Sequence, residues 1–227
     1  MNRGGNQPTI KYKAVIFDLD GLITDTEIVE HRSFEMLLKE YGKEPQFHAN
    51  GFIHVVGGGP AYYEDFKEKY SLTQDVETIK ETKRSFFEEI IKNEGVAAFP
   101  GFLELLQTLK QAGFKLAVAS NRNEKFVCFI LDTLKAKDFF SVIVGPNDDR
   151  RHKPFPDMYV HAIKELGLKP EDCIVLEDSR TGVISAKEAG AKVIVIPNIH
   201  TQDQDFSRAD KVVSSLLDVN IELLDSI

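Results

Sequence analysis

The chain has 227 residues, 42% hydrophobic and 28% charged. That is the composition of one or two globular domains, and it excludes a disordered chain, a fibre or a small disulfide-stapled scaffold. Twenty-eight basic against 36 acidic side chains leave a net charge of -8, which argues against nucleic acid or an anionic membrane as the main partner.

In chain order, residues 1–9 are polar and Gly-rich and read as a loose tail. Ala14 to Phe17 is the first short apolar run, ending at Asp18. Residues 25–96 follow with helical patterns and no buried-strand pattern. Phe34, Leu37, Leu38 and Tyr41 make one stripe, stopped at Gly42, and Ile79, Phe86, Ile90 and Ile91 make another. From Pro100 onward the pattern changes to strand and helix in alternation. Phe102, Leu105, Leu106 and Leu109 predict a helix, then Leu116 to Ala119 a strand ending at Ser120. A stripe of Phe126, Phe129, Ile130 and Leu134 precedes the strand Val142 to Val144. Tyr159, Ile163 and Leu166 precede the strand Ile174 to Leu176, which ends at Glu177. Val183, Ala186 and Ala189 precede the last run, Val193 to Ile196. Continuous apolar runs of this length suit strands buried on both faces. The expected fold class is α/β: a Rossmann-like open parallel sheet core, made from 10–24 and 97–227, with an inserted all-helical domain at 25–96. No apolar run approaches the roughly 20 residues of a membrane helix. Two cysteines, Cys128 and Cys173, are too few for a disulfide framework, so a cytoplasmic location is expected.

Polar residues gather where these strands end, the side of an open α/β sheet that binds ligands. Asp18-Leu19-Asp20-Gly21 is either an acidic turn or a pair of working carboxylates. Ser120-Asn121 suits a helix N-cap as well as a phosphate. Lys153, in Lys153-Pro154-Phe155-Pro156-Asp157, is either a solvated loop lysine or a cation held by a stiff backbone. Glu177-Asp178-Ser179 provides an N-cap, or acids that with the first pair would suit Mg2+.

Taken together, the strings Phe17-Asp18-Leu19-Asp20-Gly21, Ala119-Ser120-Asn121, Lys153-Pro154-Phe155-Pro156-Asp157 and Glu177-Asp178-Ser179-Arg180-Thr181-Gly182 resemble the haloacid dehalogenase-like superfamily. The likeness covers residues 13–197 and is to the branch with a helical cap, which holds β-phosphoglucomutase and many sugar-phosphate phosphatases. The resemblance implies that Asp18 is a nucleophile forming an aspartyl-phosphate and that Asp20 is the general acid and base. It implies that Ser120 and Asn121 bind the transferring phosphate, and that Lys153 neutralises charge. Mg2+ would be held by Asp18, Asp20 and Asp178, with Glu177 as a further ligand. It makes the expected partner a small phosphorylated metabolite, a sugar, polyol or nucleotide-derived phosphate, and the expected state a monomer.

Asp20 argues against dehalogenase and phosphonate-cleaving relatives, which commonly differ there. A mutase of the β-phosphoglucomutase type is the alternative. Its cap loop carries an arginine for the second phosphate, whereas the corresponding stretch here is Val56-Gly57-Gly58-Gly59-Pro60. Arg122, Lys83 or Arg84 would have to compensate, each more readily read as a solvated helix charge. A phosphatase is therefore favoured, and a non-catalytic binding protein is a remote third reading. Candidates for setting specificity are His48, His54, Tyr62, Tyr63, Lys83 and Arg84.

Overall fold

The computed structural model describes residues 11–46, 60–147 and 149–227. The expected tail, His48, His54 and the glycine triplet at 57–59 lie outside the described residues. By its contacts the chain divides into two compact units, Met1–Asp25 with Ala97–Ile227, and Thr26–Val96. Among the described residues, no helix is long and apolar enough to cross a membrane.

The larger unit is built on a six-stranded sheet. Its strands are β1 (Ala14–Phe17), β2 (Lys115–Ala119), β3 (Val142–Val144), β4 (Cys173–Glu177), β5 (Lys192–Val195) and β6 (Lys211–Val212). They are ordered β3-β2-β1-β4-β5-β6, and every neighbouring pair is parallel. This is the expected Rossmann-like α/β class. β1 and β4 are buried along their whole length, which is why they read as unbroken apolar runs. β6 was not expected: it is two exposed residues at the sheet edge, too short to show any period.

The smaller unit is helical: α1 (Glu27–Glu40), α2 (Pro60–Lys69) and α3 (Val76–Glu94). Phe34, Leu37 and Leu38 of α1 meet Phe66, Tyr70, Leu72 and Ile79 in one apolar cluster. Asp75 starts α3 by accepting a hydrogen bond from the Thr78 N–H at 2.9 Å. Tyr62 and Tyr63 both pack on the Phe34 ring, at 6.0 and 6.3 Å between centroids. Lys83 is not a solvated charge. It is buried and ion-paired with Glu30, 5.2 Å from the ring centres of both Phe34 and Phe87. Arg84 is exposed.

Among the described residues, five α-helices belong to the larger unit: α4 (Phe102–Gln111), α5 (Glu124–Thr133), α6 (Asp157–Glu165), α7 (Arg180–Glu188) and α8 (Ile221–Asp225). Strand residues alternate between the two faces of the sheet. Ala14 and Ile16 of β1 join Met158, Tyr159 and Ile163 of α6 and Val183 and Ala186 of α7 in one core. Phe17, on the other face, meets Phe102 and Phe140 edge-on at 6.1 and 5.7 Å. Fully burying each such side chain contributes about 2 kcal/mol. In α5 the inward side chains are Val127, Ile130 and Leu131. Phe126 and Phe129 of the expected stripe are only half-buried.

Candidate active site

The sheet order explains which residues meet. β1 lies between β2 and β4, with Phe17 level with Val118 on one side and Leu176 on the other. Adjacent strands are about 4.8 Å apart. Residues one or two places past this register therefore emerge side by side: Asp18 from β1, Ser120 from β2, Glu177 and Asp178 from β4. Asp18 continues the ladder by donating its N–H to the Leu176 carbonyl at 3.0 Å. Asp18, Ser120, Lys153, Glu177 and Asp178 are all buried.

Lys153 comes from the loop between β3 and α6, and its long side chain reaches the centre of this edge. Its Nζ donates to Asp18 Oδ1 at 2.5 Å, to Glu177 Oε1 at 2.6 Å and to the Tyr159 hydroxyl at 2.8 Å. Asn121 holds the loop from the other side, its Oδ1 accepting the Lys153 N–H at 2.8 Å. Burial alone would discharge this ammonium, but the carboxylates of Asp18 and Glu177 reverse the effect and hold it charged far above neutral pH. Neither Ser120 nor Asn121 caps α5. Asn123 does so, accepting from the Phe126 N–H.

Glu177 has no exposed surface. Lys153 and the Tyr159 hydroxyl (2.7 Å) donate to its Oε1, and the N–H groups of Asp178 and Ser179 with the Ser179 hydroxyl donate to its Oε2. A carboxylate has about four acceptor positions, so these bonds saturate it. Although burial opposes ionisation, Lys153 and these donors hold its carboxyl below the usual range. Ser179 also caps α7, accepting from the Gly182 N–H at 3.1 Å. A side chain at 182 would strike the Glu177 carboxylate, so only glycine fits there.

Asp18 and Asp178 are in the opposite state. Burial first, and then the neighbouring carboxylates, push Asp18 up to about 8 and Asp178 up to about 9, with Lys153 opposing in both. Oxygens of Asp18, Glu177 and Asp178 all lie within 4.8 Å of one another. Two buried carboxyls that one lysine cannot keep ionised fit a divalent cation with oxygen ligands. With the Glu177 oxygens engaged, the carboxyls of this cluster left to face such an ion are those of Asp18 and Asp178.

After Asp18 the chain turns back on itself. Asp20 bridges to Thr24, and Gly21 donates its N–H to the Thr24 carbonyl at 2.9 Å. Gly21 has φ +84°, and any Cβ there would collide with Asp178 and Asn198. Asn198, just past β5, donates from Nδ2 to Asp178 Oδ2 at 2.8 Å and to the Gly21 carbonyl at 3.0 Å. Asp20 is partly exposed and accepts from Arg122 Nε at 3.1 Å.

Tyr159 and Asn198 join the site without having been among the candidate residues. Tyr159 was absorbed into the apolar stripe of α6, and nothing in its spacing reveals a working hydroxyl. Asn198 had a usable signal. It is a polar residue two positions past the last expected strand, Val193 to Ile196.

Residues 15–196 match the family of haloacid dehalogenase-like hydrolases, which is most of the chain and includes every site residue named above except Asn198. The chain belongs to that family. Among relatives of this hydrolase, protein CbbY of Rhodobacter capsulatus is 31% identical over 88% of this chain and 92% of its own. The phosphorylated carbohydrates phosphatase of Thermotoga maritima is 31% identical over 80% of this chain and 83% of its own. CbbY from Rhodobacter sphaeroides, solved with xylulose-(1,5)bisphosphate, superposes with a TM-score of 0.76 at 26% identity, covering 92% of this chain and 96% of that one.

Proposed function

We propose that this hydrolase is a Mg2+-dependent phosphatase of small phosphorylated carbohydrates, working through a phosphoryl group carried on Asp18. The observation that carries this reading is the meeting of Asp18 with Lys153 and Asp178 at the carboxyl edge of β1 and β4. Two of the three similar proteins named support the substrate class, one as a phosphatase of phosphorylated carbohydrates and the other by its sugar bisphosphate.

In this reading an Asp18 oxygen attacks the phosphorus in line with the leaving oxygen. The bond from phosphorus to the sugar oxygen breaks, and Asp20 gives that oxygen its proton. Asp20, now a carboxylate, takes a proton from water as the water attacks phosphoryl-Asp18. Phosphate leaves and Asp18 is restored. Ser120 and Asn121 donate to the phosphoryl oxygens. Lys153 favours the charged form of Asp18 and balances charge on the phosphoryl group. Asp18, Asp178 and the Asp20 carbonyl would hold Mg2+, which when bound offsets the repulsion between these acids and the substrate. Glu177 is assigned to holding Lys153, not to the metal.

Phosphate release from a panel of sugar, polyol and nucleotide monophosphates, with Mg2+ and with EDTA, tests this reading. The expected result is release from a few sugar or polyol phosphates that EDTA abolishes. Glucose 6-phosphate formed from β-glucose 1-phosphate and a bisphosphate primer, without net phosphate release, would replace the phosphatase with a mutase.

A further inference from the structure

We propose that Arg122 is a positioning residue for Asp20, fixing the carboxyl group that protonates the leaving group. The inference rests on the reading of Asp20 as general acid. Asp18 and Asp178 are buried and held by Lys153 and Asn198, whereas Asp20 is a partly exposed side chain on a turn. An acid that must meet a leaving oxygen within hydrogen-bond reach needs a fixed place as well as access. Arg122 Nε supplies the fixed point, 3.1 Å from Asp20 Oδ2.

Arg122 is itself anchored within the larger unit. Its N–H donates to Ser120 Oγ at 3.0 Å, which ties it to the loop assigned to the phosphoryl oxygens. Its guanidinium lies over the Phe126 ring on the first turn of α5, 5.1 Å from the ring centre. The turn after β3 closes on its carbonyl so tightly that any side chain at Gly145 would collide with it. One residue thus links the loop after β2 to the turn carrying Asp20. A guanidinium keeps its proton under all working conditions, so Arg122 acts by placement and not by proton transfer.

Placement of a general acid has a signature that other roles lack. An alkoxide leaving group needs the proton, whereas p-nitrophenolate leaves readily without it. The measurement is kcat/KM for the most active sugar phosphate of the panel and for p-nitrophenyl phosphate. kcat/KM reports the steps up to loss of the leaving group. Arg122→Ala is expected to lower the value for the sugar phosphate about 10- to 100-fold, part of what a general acid supplies. The fall for p-nitrophenyl phosphate is expected to be at least ten-fold smaller. Arg122→Lys, which keeps the charge but not the planar donor, is expected to restore only part of the loss. In an Asp20→Asn background, Arg122→Ala is expected to cost nothing further on the sugar phosphate. An equal fall for both esters would overturn the proposal in favour of a structural role. A higher KM for the sugar phosphate with kcat intact would overturn it in favour of substrate binding. A wild-type enzyme silent on every ester would refute the phosphatase reading itself, which the wild-type arm shows separately.

Discussion

Lys153 lies at the centre of the site, and its setting shows what single residues do here. Three partners, Asp18, Glu177 and Tyr159, fix one ammonium in space. Tyr159→Phe removes the hydroxyl that bridges Lys153 and Glu177 without changing the ring. Urea unfolding is expected to show a loss of about 1–2 kcal/mol, the cost of leaving buried partners short of a hydrogen bond. Asn198 plays the corresponding part for Asp178. Asn198→Ala is expected to weaken activation by Mg2+ about 10- to 100-fold, as loss of a partner to a metal ligand typically does. A Mg2+ titration of activity checks this: the midpoint should move while the rate at saturation changes little. Asp18 and Asp178 stood out as acids just past strand ends and Lys153 as a cation in a Pro-flanked loop, but each alone read equally well as a turn, a cap or a solvated charge, and only the four strings together pointed to one site. Glu177 was legible as important, but its role depends on hydrogen bonds that spacing cannot show.

Elements position these residues, and two contacts between elements are open to test. The first is the close approach of α7 to β4, where Gly182 faces the Glu177 carboxylate with no room for a methyl group. Gly182→Ala is expected to destabilise the fold by about 3 kcal/mol, at the upper end for overpacking, and to lower activity by displacing Glu177 from Lys153. The second is Asp210, which accepts from Lys187 of α7 at 2.7 Å, Lys192 at 2.7 Å and the Val193 N–H of β5 at 2.9 Å. Burial opposes its ionisation, but these donors hold its carboxyl below the usual value. A lowered carboxyl stabilises the fold above the unfolded-state value, and that contribution is lost as pH falls through the folded-state one. The stability gap between wild type and Asp210→Asn should therefore be constant above about pH 5 and shrink below about pH 4. The strands were legible because they are buried on both faces. α5 was harder: with apolar residues at 126, 127 and 129–131, its sequence fits more than one inward face, and packing turned Val127, Ile130 and Leu131 in. β6 exists only through its pairing with β5 and has no pattern of its own.

At the scale of the whole molecule, stability and catalysis meet in one buried acidic cluster. Asp18 and Asp178, crowded away from water beside Glu177, oppose folding when both are charged. An ion that binds them only in the folded state must stabilise the protein. Adding Mg2+ at about 100 times its dissociation constant should contribute about 2.7 kcal/mol. That is a rise in Tm of about 5–10 °C for a chain of this size. Thermal melts with EDTA and with Mg2+ check this, and Asp178→Asn should largely remove the difference. The α/β class was legible because the order of short and long patterns is itself a topology. The pairing that puts β1 between β2 and β4 is what turns four scattered strings into one site.

The central claim is that Asp18 carries the phosphoryl group. The direct measurement is mass spectrometry of enzyme quenched in acid during turnover of its best substrate with Mg2+. The account predicts a peptide containing Asp18 heavier by one phosphoryl group, and no such peptide and no turnover in a folded Asp18→Asn variant. Turnover without any phosphorylated peptide, a phosphoryl group on another residue, or an active Asp18→Asn variant would contradict it.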